Sequence, residues 1–272
     1  MSTHDTNASL EDVEFLARSP HRVRALRALR AGSADRDDLR EATDASNATI
    51  ARLLNEFEDR NWIVRDGHEY ELTDPGTFVA DEFLRLVDRM GTELELRDVW
   101  QWFPTELPGC RMSLFADAVI SKPDFGSPYR PLPRFRELTE SVRIVRGFQG
   151  SYSKPESYQV FQRILDTGGE MRIVNSLSQI DMKLREISED VIREAVESGR
   201  LTLWAHESLP TNAGVAFFDE RLCVICRDDE QVTRVIVDTD ASEAVVWGES
   251  VIEDVRSEAR PVDLLERLER NA

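Results

Sequence analysis

Three polar side chains in the N-terminal third, those of Asn47, Thr49 and Arg52, have the chemistry needed to read base pairs. In the major groove of DNA, an Asn amide can bond two atoms of adenine and an Arg guanidinium can bond two atoms of guanine. A Thr side chain can form a hydrogen bond or contact the methyl group of thymine. These residues are the candidates for direct contact with base edges.

The helix that must carry these residues is marked by local sequence signals. Ser46 stands in the N-cap position, where its hydroxyl can accept a hydrogen bond from a backbone N–H group that has no partner within the helix. Apolar residues then recur at i, i+3, i+4 and i+7, which predicts one buried stripe of an amphipathic helix. The stripe consists of Ile50, Leu53, Leu54 and Phe57. The candidate base-contacting residues face away from it.

The flanking segments complete a DNA-binding pattern. Residues 35–42 predict a short helix, and residues 43–45 predict a tight polar turn ahead of the second helix. After that helix, Asp66-Gly67 separates two β-prone runs and predicts a two-residue hairpin turn. Helix, turn, helix and hairpin form a winged helix-turn-helix, whose second helix enters the major groove. The sequence therefore predicts binding to double-stranded DNA.

Basic residues beside this unit are candidates for contacts with the DNA backbone. Arg65 and His68 flank the predicted wing turn and are expected to reach phosphates or the minor groove. Residues 15–34 contain five arginines and no acidic residue, which predicts a local basic face. The arginines are Arg18, Arg22, Arg24, Arg27 and Arg30. We expect Arg22, Arg24 and Arg27 to approach the backbone, where contacts position the protein without specifying sequence; a solvated helix face is the alternative.

The net charge of the chain opposes DNA binding at first sight. It is −18 at pH 7, with 52 acidic and 34 basic residues, of which only three are Lys. Acid-rich, Lys-poor proteins are typical of a salt-filled cytoplasm, where molar ions screen charges within roughly 3 Å. Local charge then matters more than net charge. We expect a halophilic, cytoplasmic protein, since no apolar run approaches the roughly 20 residues that span a bilayer and the polar N-terminus does not resemble a signal peptide.

A long helix is predicted after the wing, over residues 77–100. Its apolar residues follow at spacings of four, three and four, the heptad pattern of a helix–helix interface. They are Val79, Phe83, Leu86 and Met90. This seam predicts a homodimer, and a homodimer predicts an inverted-repeat operator with half-sites about one helical turn apart. Packing of the helix on its own domain is the alternative.

The patterns divide the chain into a winged helix-turn-helix domain (1–75), a linker and dimerisation helix (76–100) and a larger domain (101–272). Residues 101–133 are rich in Pro and predict an ordered irregular connection. Beyond them, strands and helices alternate, which predicts an α/β domain with a mixed sheet covered by helices, so that the whole chain is α+β. The predicted strands cover 141–148, 170–175, 201–206, 214–218, 222–226 and 232–237, and the predicted helices cover 155–166, 180–198 and 241–259.

Known catalytic and metal-binding motifs are absent from the sequence. Cys223 and Cys226 have C-x-x-C spacing, but they lie in a predicted strand, where residues three apart point to opposite faces. We therefore expect structural thiols, with a redox or metal role as the alternative. The phosphate-loop, dinucleotide-binding and His-Glu-x-x-His patterns do not occur. We expect no cofactor, no metal and no catalytic residue.

The C-terminal half carries a pattern that resembles a known family. Its stretches are Gly-Val-Ala-Phe-Phe-Asp at 214–219, Arg-Leu-Cys-Val at 221–224, Val-Asp-Thr-Asp at 237–240 and Ala-Val-Val-Trp-Gly-Glu at 244–249. With the N-terminal winged helix, they are similar to archaeal winged-helix regulators whose C-terminal half is a sensor domain of the methanogenesis-regulatory-protein type. The resemblance implies a dimeric transcriptional regulator whose residues 101–272 sense an effector.

This half is also similar in layout to the sugar-sensing TrmB-type regulators, whose effector domain is related to the phospholipase D fold. The phospholipase motif is H-x-K-x-x-x-x-D, with His as the nucleophile. Counting back from Asp219, Asn212 stands in the His position and Gly214 in the Lys position. An amide has neither the nucleophilicity nor the basicity of an imidazole. The resemblance therefore implies a site that binds without catalysis.

The candidates for effector binding are polar residues at or near predicted strand ends, where open sheets bind ligands. They are Arg146, Asn175, His206, Asn212 and Asp219. For His206, a structural or solvated role is the alternative. Similarity to sugar sensors makes a sugar or sugar phosphate the expected effector. Two other functions stay open: a protein-interaction module of the transcription machinery that has no effector, and a hydrolase.

Overall fold

The computed structural model describes residues 6–123, 131–150 and 155–271. The chain divides into two compact units, Met1–Gly91 and Thr92–Ala272, which we call unit 1 and unit 2. The boundary between them falls within the long helix that follows the wing.

Unit 1 confirms the winged helix-turn-helix. Its elements are α1 (Thr6–Ala17), α2 (Pro20–Ala31), α3 (Arg36–Thr43), α4 (Asn47–Glu58), β1 (Ile63–Asp66), β2 (Glu69–Leu72) and α5 (Asp74–Leu96), the last of which continues into unit 2. Asp35 caps α3 by accepting hydrogen bonds from the backbone N–H groups of Asp37 and Asp38 at 2.8 and 2.9 Å. Asp44 ends α3 with a φ of 56°, in the left-handed region that Asn and Asp tolerate better than most residues. This sharp change of direction lets α4 start only three residues later.

The wing is the antiparallel hairpin β1–β2, and its turn differs from the prediction. Asp66 pairs with Glu69, so the two turn residues are Gly67 and His68 rather than Asp66 and Gly67. Gly67 has a φ of 60°, which suits glycine. The observed register buries Tyr70, whose side chain is 2% exposed. A slip by one residue would turn Tyr70 into solvent, which explains why burial overrides the local Asp-Gly signal.

Helix α5 begins at Asp74 and ends at Leu96, not at 77 and 100 as predicted. Pro75 is compatible with a first helical turn, and the Thr73 hydroxyl accepts a hydrogen bond from the backbone N–H of Gly76 at 3.1 Å. Glycine is required at position 76 because a Cβ atom there would lie 1.8 Å from the carbonyl oxygen of Trp62. The Pro-Gly pair is therefore part of the helix start and not a break.

The predicted seam on α5 is only partly exposed. Phe83 is buried in the core of unit 1, and the half-buried Val79 packs against the same core. Leu86 and Met90 are 50% and 51% exposed. The predicted four-residue interface is thus wrong for Val79 and Phe83, because the 3.6-residue helical period turns these two toward their own domain.

Unit 2 is built on an eight-stranded mixed sheet, which confirms the predicted fold class. The strand order is β10-β6-β5-β4-β7-β8-β9-β3; β4, β5 and β6 are parallel, and the other neighbours are antiparallel. The strands are β3 (Val119–Ser121), β4 (Ile144–Gln149), β5 (Glu170–Asn175), β6 (Leu201–Ala205), β7 (Ala213–Phe218), β8 (Arg221–Arg227), β9 (Thr233–Thr239) and β10 (Arg260–Pro261). The helices are α6 (Pro131–Glu140), α7 (Pro155–Asp166), α8 (Leu177–Glu186), α9 (Glu189–Glu197), α10 (Ser242–Glu258) and α11 (Leu264–Asn271).

Several of these elements differ from the sequence prediction. The single helix predicted over 180–198 is two helices, α8 and α9, because Ile187 adopts an extended backbone between them. The region predicted as an irregular connection contains β3 and the start of α6. Strand β10 carries too weak a local signal to be predicted, since it is held by pairing with the distant β6. Helix α11 was missed although Leu264 and Leu268, which are both buried, follow helical spacing.

The sheet separates two hydrophobic cores, one on each face. Cys223 belongs to one core and Cys226 to the other, and both are fully buried. This confirms that the C-x-x-C thiols point to opposite faces of their strand. Desolvation raises the pKa of both thiols well above the usual value. They are therefore structural residues that stay protonated.

The stretches that carry the family resemblance include residues with structural roles. Asp238, which has no exposed side-chain surface, accepts two hydrogen bonds from Arg134 at 2.7 and 2.8 Å and another from Arg221. Trp247 donates its indole N–H to the carbonyl of Pro108 at 3.0 Å. Asp238 thus joins β9 to α6 and β8, and Trp247 joins α10 to the segment that contains Pro108.

Candidate functional site

The recognition helix, α4, presents its polar N-terminus as predicted. The Ser46 hydroxyl accepts a hydrogen bond from the backbone N–H of Thr49 at 3.3 Å and lies 3.0 Å from the Thr49 hydroxyl. Ser46 therefore acts as the predicted N-cap. Asn47 and Arg52 are exposed and Thr49 is half-buried, while the apolar stripe of this helix is fully buried. Two long polar side chains are thus free of the core on the helix that would enter a major groove.

The wing holds its basic side chain across the turn. The Nε atom of Arg65 donates to the carbonyl of Gly67 at 2.9 Å, and its guanidinium carbon lies 5.8 Å from the centre of the Tyr70 ring. His68 is exposed within the turn itself. Arg65 and His68 therefore lie at the tip of the hairpin, where they could meet a phosphate or a minor groove.

The predicted basic face over residues 15–34 is largely neutralised. Four of its five arginines pair with acidic residues that come from α1, α4 and α5; the pairs are Arg18–Glu14, Arg22–Glu56, Arg27–Asp88 and Arg30–Asp81. Glu14 lies four residues before Arg18, whereas Glu56, Asp81 and Asp88 are far away in sequence. Together they neutralise a run that contains no acidic residue of its own. The candidate Arg27 lies 2.7 Å from its Asp88 partner and is half-exposed.

Arg22 is a structural residue of unit 1 rather than a phosphate ligand. Its side chain is 16% exposed, and its guanidinium carbon lies 3.8 Å from the centre of the Phe15 ring. It also donates to the Phe15 carbonyl at 2.7 Å and to the Glu56 carboxylate at 2.8 Å. Arg24 is exposed and donates to the carbonyl of Thr43 at 3.1 Å, which places it beside the helix-turn-helix turn.

In unit 2, the sheet brings three of the five effector candidates to one edge. Asn175 ends β5, His206 follows β6 and Asn212 precedes β7, and strand register aligns these positions with Gln149 at the end of β4. His206 faces the Glu258 carboxylate at 3.4 Å and accepts a hydrogen bond from the backbone N–H of Ser208 at 3.0 Å. The Asn212 amide donates to the carbonyl of Trp102 at 3.3 Å.

The other two candidates lie elsewhere. Arg146 is in the interior of β4, where it stacks on Phe217 at 4.1 Å and pairs with Glu249 at 2.9 Å. Asp219 occupies the β7–β8 turn at the opposite edge and accepts hydrogen bonds from the backbone N–H groups of Arg143 and Ile144 at 3.0 and 2.9 Å. Six strand residues separate Asp219 from Asn212, a distance of roughly 20 Å. Arg146 and Asp219 therefore cannot share one small-molecule site with the edge candidates.

A buried lysine at the candidate edge was missed by the sequence prediction. The Lys183 ammonium donates to the Oδ1 atom of Asn175 at 2.6 Å and lies 4.4 Å from the centre of the Phe161 ring. The Asn175 amide in turn donates to the Gln149 carbonyl at 2.9 Å and to Gln179 at 3.2 Å. Lys183 is 3% exposed, and this burial lowers its pKa to about 7.

A local signal for this lysine exists in the sequence. Ile180, Leu184 and Ile187 form an apolar stripe, and Lys183 occupies the i+3 position of the same stripe. In a chain with only three lysines, a lysine in line with a buried stripe is unusual. Arg227, which is 5% exposed, was also missed because it ends a strand that reads as wholly apolar.

Among the residues that the structure describes, no group of three or more His, Cys, Asp or Glu side chains is arranged to hold a metal ion. The described helices include none that is both long enough and apolar enough to cross a membrane.

Two family models match separate parts of the chain. Residues 10–95 match the HVO_A0261 N-terminal domain. Residues 128–258 match the middle domain of the methanogenesis regulatory protein FilR1. The two matches fall on the winged helix-turn-helix and on most of the eight-stranded sheet. No curated protein matches the chain.

Solved structures give weaker likenesses. The archaeal chromatin protein TrmBL2, described as showing a novel mode of DNA binding, is 14% identical, with 92% of this chain and 98% of that chain covered and a TM-score of 0.41. NucT from Helicobacter pylori and the phospholipase D family member Nuc from Salmonella typhimurium are each 12% identical over 53% of this chain. They are covered over 98% and 97% of their own length, with TM-scores of 0.37 and 0.38.

The family matches agree with the residue pattern that first suggested the resemblance, because they assign the same two halves to the same two kinds of domain. This chain is a transcription regulator of the archaeal winged-helix type, which joins a winged helix-turn-helix to a domain of the methanogenesis-regulatory-protein type.

Proposed function

We propose that the chain is a homodimeric regulator that recognises a specific DNA sequence through α4 and binds a small metabolite in unit 2 without catalysis. The observation that carries the DNA-reading part is the capped start of α4, where Asn47 and Arg52 are exposed above a fully buried stripe. The operator is an inverted repeat, and the working environment is a cytoplasm rich in salt.

Arg52 and Asn47 supply the discrimination between base pairs. A bidentate contact from either side chain contributes about 1–3 kcal/mol against the wrong base. Thr49 contributes less, since its hydroxyl already lies 3.0 Å from that of Ser46. Arg24 and Arg65 contact phosphates and set the register of the protein on the duplex.

Dimerisation uses the exposed part of α5. Leu86 and Met90 lie one turn apart on the outer side of the helix, and each exposes half of its surface. Two copies of this pair facing each other would bury apolar surface that is otherwise in water. A two-fold axis there would present two recognition helices to an inverted repeat.

Binding without catalysis in unit 2 is supported by the position of the polar residues. Asn212 and Asp219, the remnants of the phospholipase-like pattern, lie at opposite ends of β7. The polar groups that do converge are Asn175, Gln179 and Lys183, whose hydrogen bonds run among themselves and to backbone carbonyls. These groups suit binding and positioning.

A fluorescence anisotropy titration with the native promoter, at several salt concentrations, tests the DNA-reading part. We expect Arg52→Ala to reduce discrimination between operator and scrambled DNA by about 1–3 kcal/mol, roughly 5- to 150-fold. Arg30→Ala is the matched control, because Arg30 is also exposed but is paired with Asp81 on α5. Unchanged discrimination in Arg52→Ala would contradict the assignment of α4.

A protein-interaction module of the transcription machinery is the second candidate. The pairing of Arg18, Arg22, Arg27 and Arg30 with acids favours it, because this pairing removes positive charge from the side of unit 1 that was expected to attract phosphates. Sequence-specific retention of DNA at molar salt would exclude this candidate, and its absence for both wild type and Arg52→Ala would favour it.

A further inference from the structure

Unit 2 contains a cavity between one face of the sheet and helices α6 and α7. Its volume is about 60 Å³. The lining is contributed by β4, β5, β7 and β8 on one side and by Phe135, Val160 and Phe161 on the other.

The sequence of β7 explains why this space exists. Gly214 and Ala216 face the cavity, whereas Val215 and Phe217, which alternate with them, fill the core on the other face of the sheet. Two small residues in a row on one face leave a gap beneath the covering helices. The gap is therefore encoded by residue size at two positions of one strand.

The polar groups of the cavity lie at one end. Gln149 ends β4 and Arg227 ends β8, and both line the cavity at the edge that also holds Asn175. Arg227 is 5% exposed. Burial lowers the pKa of its guanidinium to about 10, so it is still charged at neutral pH. The walls away from this end are formed by aliphatic and aromatic side chains.

This distribution disfavours a sugar. A sugar presents several hydroxyl groups, and each one buried against an apolar wall without a hydrogen-bond partner weakens binding. A molecule with a short apolar body and one anionic end matches the cavity better. A guanidinium binds carboxylate and phosphate alike through two parallel hydrogen bonds, and the carboxylate is the smaller of the two anions and carries no further oxygen that would need a partner.

We propose that this cavity binds a short-chain carboxylic acid of about three to five carbons, with the carboxylate beside Arg227 and Gln149 and the alkyl chain against Ala216 and Phe161. The proposal rests on the proposed function, since it names the chemical class of the metabolite that unit 2 binds. It replaces the sugar or sugar phosphate suggested by the family resemblance.

Methyl NMR on the full-length protein tests the proposal. The chain is labelled at isoleucine methyl groups and titrated with propionate, butyrate, isovalerate, butyramide, glucose and glucose 6-phosphate at constant ionic strength. Ile164, Ile173 and Ile225 line the cavity, whereas Ile63 and Ile252 lie in other cores and serve as internal controls. We expect the carboxylates to shift only the three cavity methyls. Affinity should rise about fourfold for each added methylene until the cavity is full, which corresponds to about 0.8 kcal/mol.

Two variants and one neutral analogue test the contacts of the alkyl chain and those of the carboxylate separately. Ala216→Val adds two methyl groups inside the cavity and should weaken isovalerate at least tenfold. Arg227→Met should abolish the preference for butyrate over butyramide, while Arg172→Met, on the neighbouring β5 and outside the cavity lining, should not. If Arg227→Met fails to fold, the comparison of butyrate with butyramide on the wild type still tests the need for charge. Equal binding of the amide, shifts of the cavity methyls by either sugar, or no shift with any carboxylate would overturn the proposal.

The same titration with operator DNA present distinguishes this inference from the proposed function. Binding of isovalerate with no change in DNA affinity would support the cavity site and refute the sensing role of unit 2. A cavity that ignores all carboxylates, in a protein whose discrimination still depends on Arg52, would overturn the cavity site and leave DNA recognition intact.

Discussion

The buried lysine gives unit 2 a dependence on pH that can be measured directly. Lys183 has an ordinary pKa of 10.5 when exposed, and burial lowers it to about 7 in the folded chain. The Phe161 ring, 4.4 Å from the ammonium, favours the charged form and opposes this decrease, but desolvation is the larger effect. Above neutral pH, folding therefore displaces a proton that the unfolded chain would hold.

The sign and size of the effect follow from linkage. Between pH 7 and pH 10.5 the unfolded chain binds one more proton than the folded chain, so the free energy of unfolding rises with pH across this window. Below pH 7 both states are protonated and the destabilisation is constant. The difference of about 3.5 pKa units, at about 1.4 kcal/mol per unit, gives a gain of about 5 kcal/mol from Lys183 alone.

The comparison that isolates this gain uses Lys183→Met, which keeps the length of the side chain and removes the titrating group. Urea unfolding is followed by tryptophan fluorescence from pH 6.5 to 10.5, since four of the five tryptophans lie in unit 2. We expect the wild type to gain stability relative to the variant as the pH rises. Lys122→Met, which replaces a half-buried lysine of the same unit, is the control and should leave the pH dependence as in the wild type.

Carbon-13 labelling at lysine Cε provides an independent test, because a chain with three lysines gives three signals. The signal that disappears in Lys183→Met should titrate near pH 7. A midpoint near 10.5 for this signal, or a stability difference that is flat with pH, would refute the claim that the ammonium is desolvated.

Three further predictions concern stability and assembly. Gly76→Ala should destabilise unit 1 by about 1–3 kcal/mol, because its Cβ would collide with a backbone carbonyl; Gly91→Ala on the same helix meets no atom within 4 Å and should be neutral or stabilising in thermal unfolding. Asp238→Ala should cost about 3–5 kcal/mol in urea unfolding, because it leaves two arginines without their shared carboxylate. The hydrogen bonds from those arginines outweigh desolvation and lower the pKa of Asp238, so its contribution is present above pH 3.8 and is lost as the pH falls through the lowered value. Leu86→Glu combined with Met90→Glu should convert the proposed dimer to a monomer in light scattering, and a variant that remains dimeric would place the interface elsewhere.

The recognition unit was predictable because its signals are local. A capping Ser, a four-residue apolar stripe and a glycine in the hairpin each act within one turn or one hairpin, and Ser46 caps α4 as predicted. The strands of unit 2 were predictable for a similar reason, since their apolar runs are bounded by polar turns. Even here the observed hairpin turn lies one residue beyond the predicted one, because burial of Tyr70 fixes the register of the hairpin.

The predictions that were wrong share a different cause: they depend on which distant residues a side chain contacts in the folded chain. No local pattern says that Arg22 will stack on Phe15 and pair with Glu56, 34 residues away. Likewise, the cavity exists because Gly214 and Ala216 lie beneath helix α7. A sequence pattern predicts that helix but not where it packs on the sheet. Long-range packing decides which polar residues remain available for function.

That outcome determines how this protein can recognise DNA. Arg24, Arg52 and Arg65 are exposed cations near the helix-turn-helix, and none of them forms an ion pair with another described residue. Arg36 on α3 is likewise exposed and has no described ion pair. Even four phosphate or base contacts per protomer are few compared with the six to ten of a strongly salt-dependent protein, and each phosphate contact adds about 0.9 to the salt slope. The acidic surface further weakens attraction to arbitrary DNA. In the proposed complex, affinity then comes largely from hydrogen bonds to base edges, whose geometry salt does not screen. This arrangement favours a high ratio of specific to non-specific binding over high affinity.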